Sequence, residues 1–165
     1  MFYETVFREF NKKGIQYVVA DGIALNLHGV PRATADLDLC IAIEDENLKR
    51  IVEVLKVLGF RPRIPVKIEE FAIVENLKRW SEEKKMLAFT FWNPKKPYEE
   101  IDIFIHNPID FHEIDSTKEV IEAEDIQIPI VSLDTLIALK RISNREQDRS
   151  DIAALEKIKK VEGKS

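Results

Sequence analysis

The chain has 165 residues, 45% of them hydrophobic and 33% charged, with a formal net charge of −5. That length suits a single domain spanning 1–165 with an apolar core, and the acidic balance excludes a general nucleic-acid coat, leaving room only for a local basic patch. The lone cysteine, Cys40, excludes an internal disulfide and points to a reducing, cytoplasmic setting, and no apolar run approaches a membrane span.

Residues 2–13 are amphipathic and charged, unlike a secretory signal. They place Phe2, Val6 and Phe10 on one helical stripe that Gly14 stops. Ile15–Ala20 reads as a short buried strand. Asp21-Gly22 makes a sharp turn into a short helix carrying Ile23, Ala24, Leu25 and Leu27, which His28-Gly29 ends. Asp36–Ile43 alternates with period two, and Leu37, Leu39, Ile41 and Ile43 share a face. Asp45 is expected to cap a helix that carries Leu48, Ile51, Val52, Leu55 and Leu58 and stops at Gly59.

The prolines at 62 and 65 predict irregular chain over 61–66, followed by a helix through Phe71, Val74, Leu77 and Trp80. Met86–Trp92 and Tyr98–Ile105 read as strands joined by the hairpin-length turn 93–97. His106 and His112 fall in a proline-containing loop with no third ligand, a poor zinc site. Val120–Val131 is β-like, Ser132 caps a helix through Leu136, Leu139 and Lys140, and a last helix over about 147–161 turns Ile152, Leu155 and Ile158 inward. Cys40, Phe89, Phe91 and Trp92 fit strand or core packing better than reactive or base-stacking roles.

Three acids stand out against this background. Asp36 and Asp38 lie two apart on a strand, so both side chains leave one face, roughly 7 Å apart at their bases. Paired acids have poor strand propensity and repel each other, a cost that a divalent cation would relieve. Asp102 interrupts a second strand in the same alternating way. A strand with one acid beside a strand with two would gather three hard-oxygen ligands suited to Mg2+ or Mn2+. The plainer alternatives are that Asp36 and Asp38 are two surface acids on a solvated strand edge and that Asp102 and Glu100 are solvent-facing alternates.

Gly22, at a strand-to-helix turn, offers backbone N–H groups to a phosphate, and Arg32 and Thr34 lie between that turn and the acid pair. Lys140, Arg145, Asp148 and Asp151 form a fourth group, which by itself reads as a solvated helical face.

In this order the segments 18–39, 101–104 and 136–151 resemble the motifs of minimal nucleotidyltransferases, nearest the branch that contains the AbiEii-type toxins. The resemblance covers under half the chain. It implies an α/β fold of the α+β type, a mixed sheet flanked by helices. It also implies two-metal transfer of a nucleoside monophosphate from a nucleoside triphosphate to an acceptor hydroxyl on a protein, a tRNA or a small molecule. Asp36, Asp38 and Asp102 would be catalytic and would hold the Mg2+ or Mn2+. Gly22, Arg32, Thr34, Lys140 and Arg145 would bind the nucleotide phosphates. A cognate antitoxin or a second copy of the chain would be the macromolecular partner.

Two positions depart from the pattern. Asp21 stands where the first glycine of the turn belongs, and Ile23 lacks the hydroxyl of many active members. A carboxylate at a phosphate-binding turn repels a triphosphate unless a metal or Lys140 compensates it. The alternative to an active transferase is therefore a silent member that binds a nucleotide or a protein partner, and a weaker one is a metal-dependent phosphohydrolase.

Overall fold

The structure is a computed structural model that describes residues 3–163. Helix α1 (Glu4–Lys12) leads through Gly14 into strand β1 (Tyr17–Ala20), which passes directly into α2 (Asp21–Leu27). After a loop come β2 (Asp36–Ile41), α3 (Asp45–Val57), the two-residue strand β3 (Arg61–Pro62), a 3-10 turn (Ile68–Ala72) and α4 (Val74–Lys84). The hairpin β4 (Ala88–Asn93) and β5 (Lys96–Phe104) precedes α5 (Phe111–Thr117). A second hairpin, β6 (Glu119–Ala123) and β7 (Ile126–Ile130), precedes α6 (Leu133–Ser143) and α7 (Glu146–Val161).

The strands form one seven-stranded sheet in the order β3-β4-β5-β2-β1-β7-β6. β2 runs parallel to β5 and β1 parallel to β7, while the remaining neighbours are antiparallel. This is the mixed, helix-flanked sheet expected from the sequence.

Alternation gives the sheet its two faces. Leu37, Leu39, Ile101, Ile103, Phe89 and Phe91 are fully buried. Phe71 and Trp80 close over them, with ring centroids 5.0 Å and 5.1 Å from Phe89. Burying each such side chain contributes roughly 1.5–3 kcal/mol, which fixes the register of the central strands. The opposite parity, Asp36, Asp38, Thr90, Trp92, Glu100 and Asp102, is only partly buried.

Several local expectations need correction. Asp45 is the first residue of α3, not its cap, and Glu44 takes the cap position. The stretch 61–66 is not wholly irregular, because Arg61 and Pro62 pair with Trp92 and Phe91 at the sheet edge, where a proline is tolerated. The β-like stretch 120–131 is a hairpin, turned by Glu124 and Asp125 at φ 49° and 64°, conformations that glycine or asparagine would have advertised. Helix α5 was not foreseen, and His112 lies on it rather than in a loop. Phe2 lies outside the described residues, whereas Val6 and Phe10 are buried as the helical stripe requires. Ser132 does cap α6, accepting from the Thr135 N–H at 3.1 Å. Cys40 is buried, and burial pushes its thiol up to about 12.

Candidate active site

The sheet register builds the site. Asp38 of β2 is the direct partner of Asp102 of β5, and Asp36 is the partner of Glu100. Directly paired residues on neighbouring strands project to the same side, so Asp36, Asp38 and Asp102 share one face. Across β5, Thr90 partners Asp102 and Trp92 partners Glu100. Two rows therefore cross the sheet: Thr90–Asp102–Asp38–Ala20, and beside it Trp92–Glu100–Asp36.

Each acid is shifted upward. Burial pushes Asp38 up to about 8, with Asp21, Asp102 and Asp36 adding to the rise and a hydrogen bond from the Gly22 backbone opposing it. Burial and then Asp102 and Glu100 raise Asp36. Burial also raises Asp102, against the bond from Thr90 and with Glu100 adding to the rise. None of the three has an ion-pair partner among the described residues.

The expected convergence of all three carboxylates is only partly met. They share a face, but among the described residues no three His, Cys, Asp or Glu side chains are gathered closely enough to cage a metal ion. The register instead makes Asp38 and Asp102 a pair, with Asp36 one row away. An oxygen pair of this kind fits Mg2+, which commonly binds one or two carboxylates and completes its shell with substrate phosphates and water. Burial is the leading cause of all three upward shifts, and no ion pair among the described residues offsets it.

Gly22 is placed by close packing. A Cβ on it would sit 2.6 Å from Thr34 Oγ1 and 2.9 Å from Thr34 Cβ, so only glycine allows Thr34 to lie against α2. Thr34 Oγ1 in turn donates to the Asp36 carbonyl at 3.4 Å, at the entrance to β2. The Gly22 N–H that sequence reasoning offered to a phosphate is directed at the Asp38 carboxylate.

The cations expected to meet phosphate form a separate cluster. Lys140 is 3% exposed. Its Nζ lies 2.8 Å from Asp21, 3.0 Å from Asp151 and 3.3 Å from Asp148. Arg32 pairs with Asp151. Arg145 lies 3.0 Å from Asp148 and 3.8 Å from Asp21, with its side chain 63% exposed. Three cations thus meet three carboxylates. Burial works against the Lys140 ammonium, but Asp21 and then Asp151 outweigh it and raise its pKa. Burial likewise opposes ionisation of Asp148, yet Arg145 and Lys140 hold it well below the usual carboxylate range.

Asp21 neither caps α2 nor stands free. It adopts φ 49°, the left-handed conformation for which glycine is the usual choice, and its charge is taken by Lys140. His112, with Phe111, Asp110 and Ile43, lines a cleft of about 280 Å3 beyond the far end of β2.

Two contributors escaped the sequence. Thr90 Oγ1 donates to Asp102 Oδ1 at 2.5 Å. Its alternation with buried Phe89 and Phe91 was the available signal. The Tyr3 hydroxyl accepts from the Glu100 N–H at 3.1 Å and donates to the Ala35 carbonyl, pinning both acid-bearing strands. No pattern announced that contact.

An open mixed sheet carrying paired acids on neighbouring parallel strands, beside a strand–turn–helix, defines a nucleotidyltransferase fold. Solved structures agree. The lincosamide antibiotic adenylyltransferase LnuA, bound to lincomycin, superposes with a TM-score of 0.60 at 15% identity, covering 93% of each chain. A nucleotidyltransferase-like antigen from Paracoccidioides brasiliensis gives 0.60 at 15% identity, over 94% of this chain and 72% of its own. ANT(2'')-Ia in complex with adenylyl-2''-tobramycin gives 0.57 at 12% identity, over 94% and 89%. Residues 8–152 match the family described as nucleotidyl transferase AbiEii toxin, type IV TA system, and the chain belongs to that family. No curated relative matches its sequence. Among the described residues, no helix is long and apolar enough to cross a membrane.

Proposed function

We propose that the chain transfers a nucleoside monophosphate from a nucleoside triphosphate to an acceptor hydroxyl, using Asp36, Asp38 and Asp102. The observation that carries this reading is the in-register Asp38–Asp102 pair on parallel strands, two carboxyl groups with no ion-pair partner among the described residues.

In the reaction, a bond forms between the acceptor oxygen and the α-phosphorus, the α–β bridging bond breaks, and pyrophosphate leaves. Asp102 Oδ2, the oxygen not bonded to Thr90, receives the proton from the acceptor hydroxyl. Asp38 and Asp102 would hold Mg2+ or Mn2+, with Asp36 one row away on the same face, and the ion would supply charge neutralisation at the transferring phosphoryl and acidify the acceptor hydroxyl. Arg145, the most exposed cation of the neighbouring cluster, would meet the departing phosphates. Lys140 neutralises Asp21, and Arg32 fixes the loop into β2 through Asp151. Gly22 and Thr34 set the position of that loop and of Asp38.

One similar structure is an adenylyltransferase and another holds an adenylylated aminoglycoside, which supports this chemistry on this sheet. The family's description as a type IV toxin–antitoxin system supports a toxin–antitoxin setting, in which a cognate antitoxin would be the partner. A second reading, a silent nucleotide- or partner-binding member, draws on Asp21 at the turn and on Lys140 being held by three carboxylates.

The test is incubation of the protein with α-labelled nucleoside triphosphates, Mg2+ and candidate protein, tRNA and small-molecule acceptors. The expected result is label transfer with pyrophosphate release, lost in Asp36→Asn. Nucleotide binding without transfer under every combination would favour the silent reading.

A further inference from the structure

The Asp102–Asp38 pair is held from both ends of its row. On one side the Gly22 backbone donates to Asp38. On the other, Thr90 of β4 is the register partner of Asp102 and its hydroxyl donates to Oδ1 at 2.5 Å. A bond this short between a hydroxyl and a carboxylate belongs to the strong, charge-assisted kind. Thr90 has a single hydroxyl proton, and it is directed at Asp102.

We propose that Thr90 is a positioning residue: by occupying Asp102 Oδ1 it orients the carboxylate and reserves Oδ2 for a divalent cation and the acceptor hydroxyl. The role rests on the transferase reading for the acceptor but not for the cation. A partly buried carboxylate can otherwise rotate about its terminal torsion, which is broad. Fixing it removes that freedom before the ligand arrives. The strand context supports the assignment, since β4 places Phe89 and Phe91 in the core on either side of Thr90, so its backbone is anchored independently of the hydroxyl. A β-branched replacement keeps strand propensity and shape while deleting only the donor.

The experiment compares wild type, Thr90→Val and Thr90→Ser by titration with Mn2+ alone, followed by electron paramagnetic resonance, with thermal melts as a folding control. Loss of such a supporting hydrogen bond typically costs about 10–100-fold in metal affinity. A fall of about tenfold or more is expected in Thr90→Val, with Thr90→Ser near wild type. If Thr90→Val unfolds, Thr90→Ala replaces it in the same comparison. In transfer assays, kcat should fall in the same variant while KM for the nucleotide stays within about twofold, because Thr90 touches neither substrate.

Equal Mn2+ affinity in wild type and Thr90→Val overturns the proposal. So does a Thr90→Ser loss as deep as that of valine, or a wild type that binds no Mn2+. Thr90-dependent Mn2+ binding without nucleotide transfer would remove the transferase reading and leave this one standing. Transfer activity with Mn2+ affinity indifferent to Thr90 would do the reverse.

Discussion

Two groups of charged side chains sit close together in this fold and are treated in opposite ways. In the cluster between α2, α6 and α7, Asp21, Asp148 and Asp151 are matched by Lys140, Arg32 and Arg145. Burial opposes the charge on Lys140 and Asp148, yet their partners raise the one and drive the other strongly acidic. On the neighbouring sheet face, Asp36, Asp38 and Asp102 have no ion-pair partner among the described residues, and all shift upward. A charge that folding neutralises is part of what holds elements together. A charge that folding concentrates and leaves unmatched makes the free protein less stable, and points to a positive ligand outside the chain. The carboxylate at the turn belongs to the matched cluster, so its charge is cancelled locally by Lys140.

The largest effect should separate the two groups by activity. Asp38→Asn and Asp102→Asn are each expected to lower nucleotide transfer by at least about a hundredfold, the scale of a lost acid–base group, while the protein stays folded. Label transfer and circular dichroism on the same preparations check this. Comparable activity in wild type and either variant would end the distinction.

Next in size is Lys140→Met. Removing one member of a buried ion cluster leaves the others unpaired and typically costs about 3–5 kcal/mol. For a chain of this size that corresponds to a Tm fall of roughly 10 °C, since each kcal/mol moves Tm by about 2–4 °C. Differential scanning calorimetry measures it. A loss of activity at unchanged Tm would instead make Lys140 a direct ligand of the nucleotide.

Metal-free stability should also depend on pH in a set direction. The Asp38 pKa is raised in the folded state, so its contribution is fully present below the unfolded value, about 4, and is lost as pH rises through about 8. Asp36 and Asp102 shift in the same sense. Tm in chelator is therefore expected to fall as pH rises between about 4 and about 8. Asp38→Asn should flatten that slope, and Mg2+ at pH 8 should restore Tm in wild type more than in the variant. A slope unchanged in Asp38→Asn would place the titrating group elsewhere.

The smallest change is expected from Asp21→Gly. Glycine relieves the positive φ, worth about 1 kcal/mol, but removes a partner of Lys140, so Tm should move by no more than about 3 °C. Nucleotide affinity, followed by isothermal titration calorimetry, should stay within about threefold. A gain of tenfold or more would show that Asp21 suppresses binding and would favour the silent reading.

The sequence by itself determined the elements whose side chains repeat with a clear period. The strand at 36–41, with Leu37 and Leu39 buried opposite Asp36 and Asp38, follows from alternation alone, as does the acid in the strand around Asp102. Ser132 as a cap and Gly29 beyond α2, at φ 101°, follow from local backbone chemistry. What alternation cannot say is which strand lies beside which, or in what register. That Asp102 pairs with Asp38 rather than Asp36, and that Thr90 stands behind it, depends on β5 lying between β2 and β4. The placement of Lys140 on Asp21, 119 positions apart, likewise appears only when α6 packs beside the start of α2. Periodicity acts over neighbouring residues. Charge matching, hydrogen-bond orientation and the closeness of two carboxylates act through space, and folding alone sets those distances.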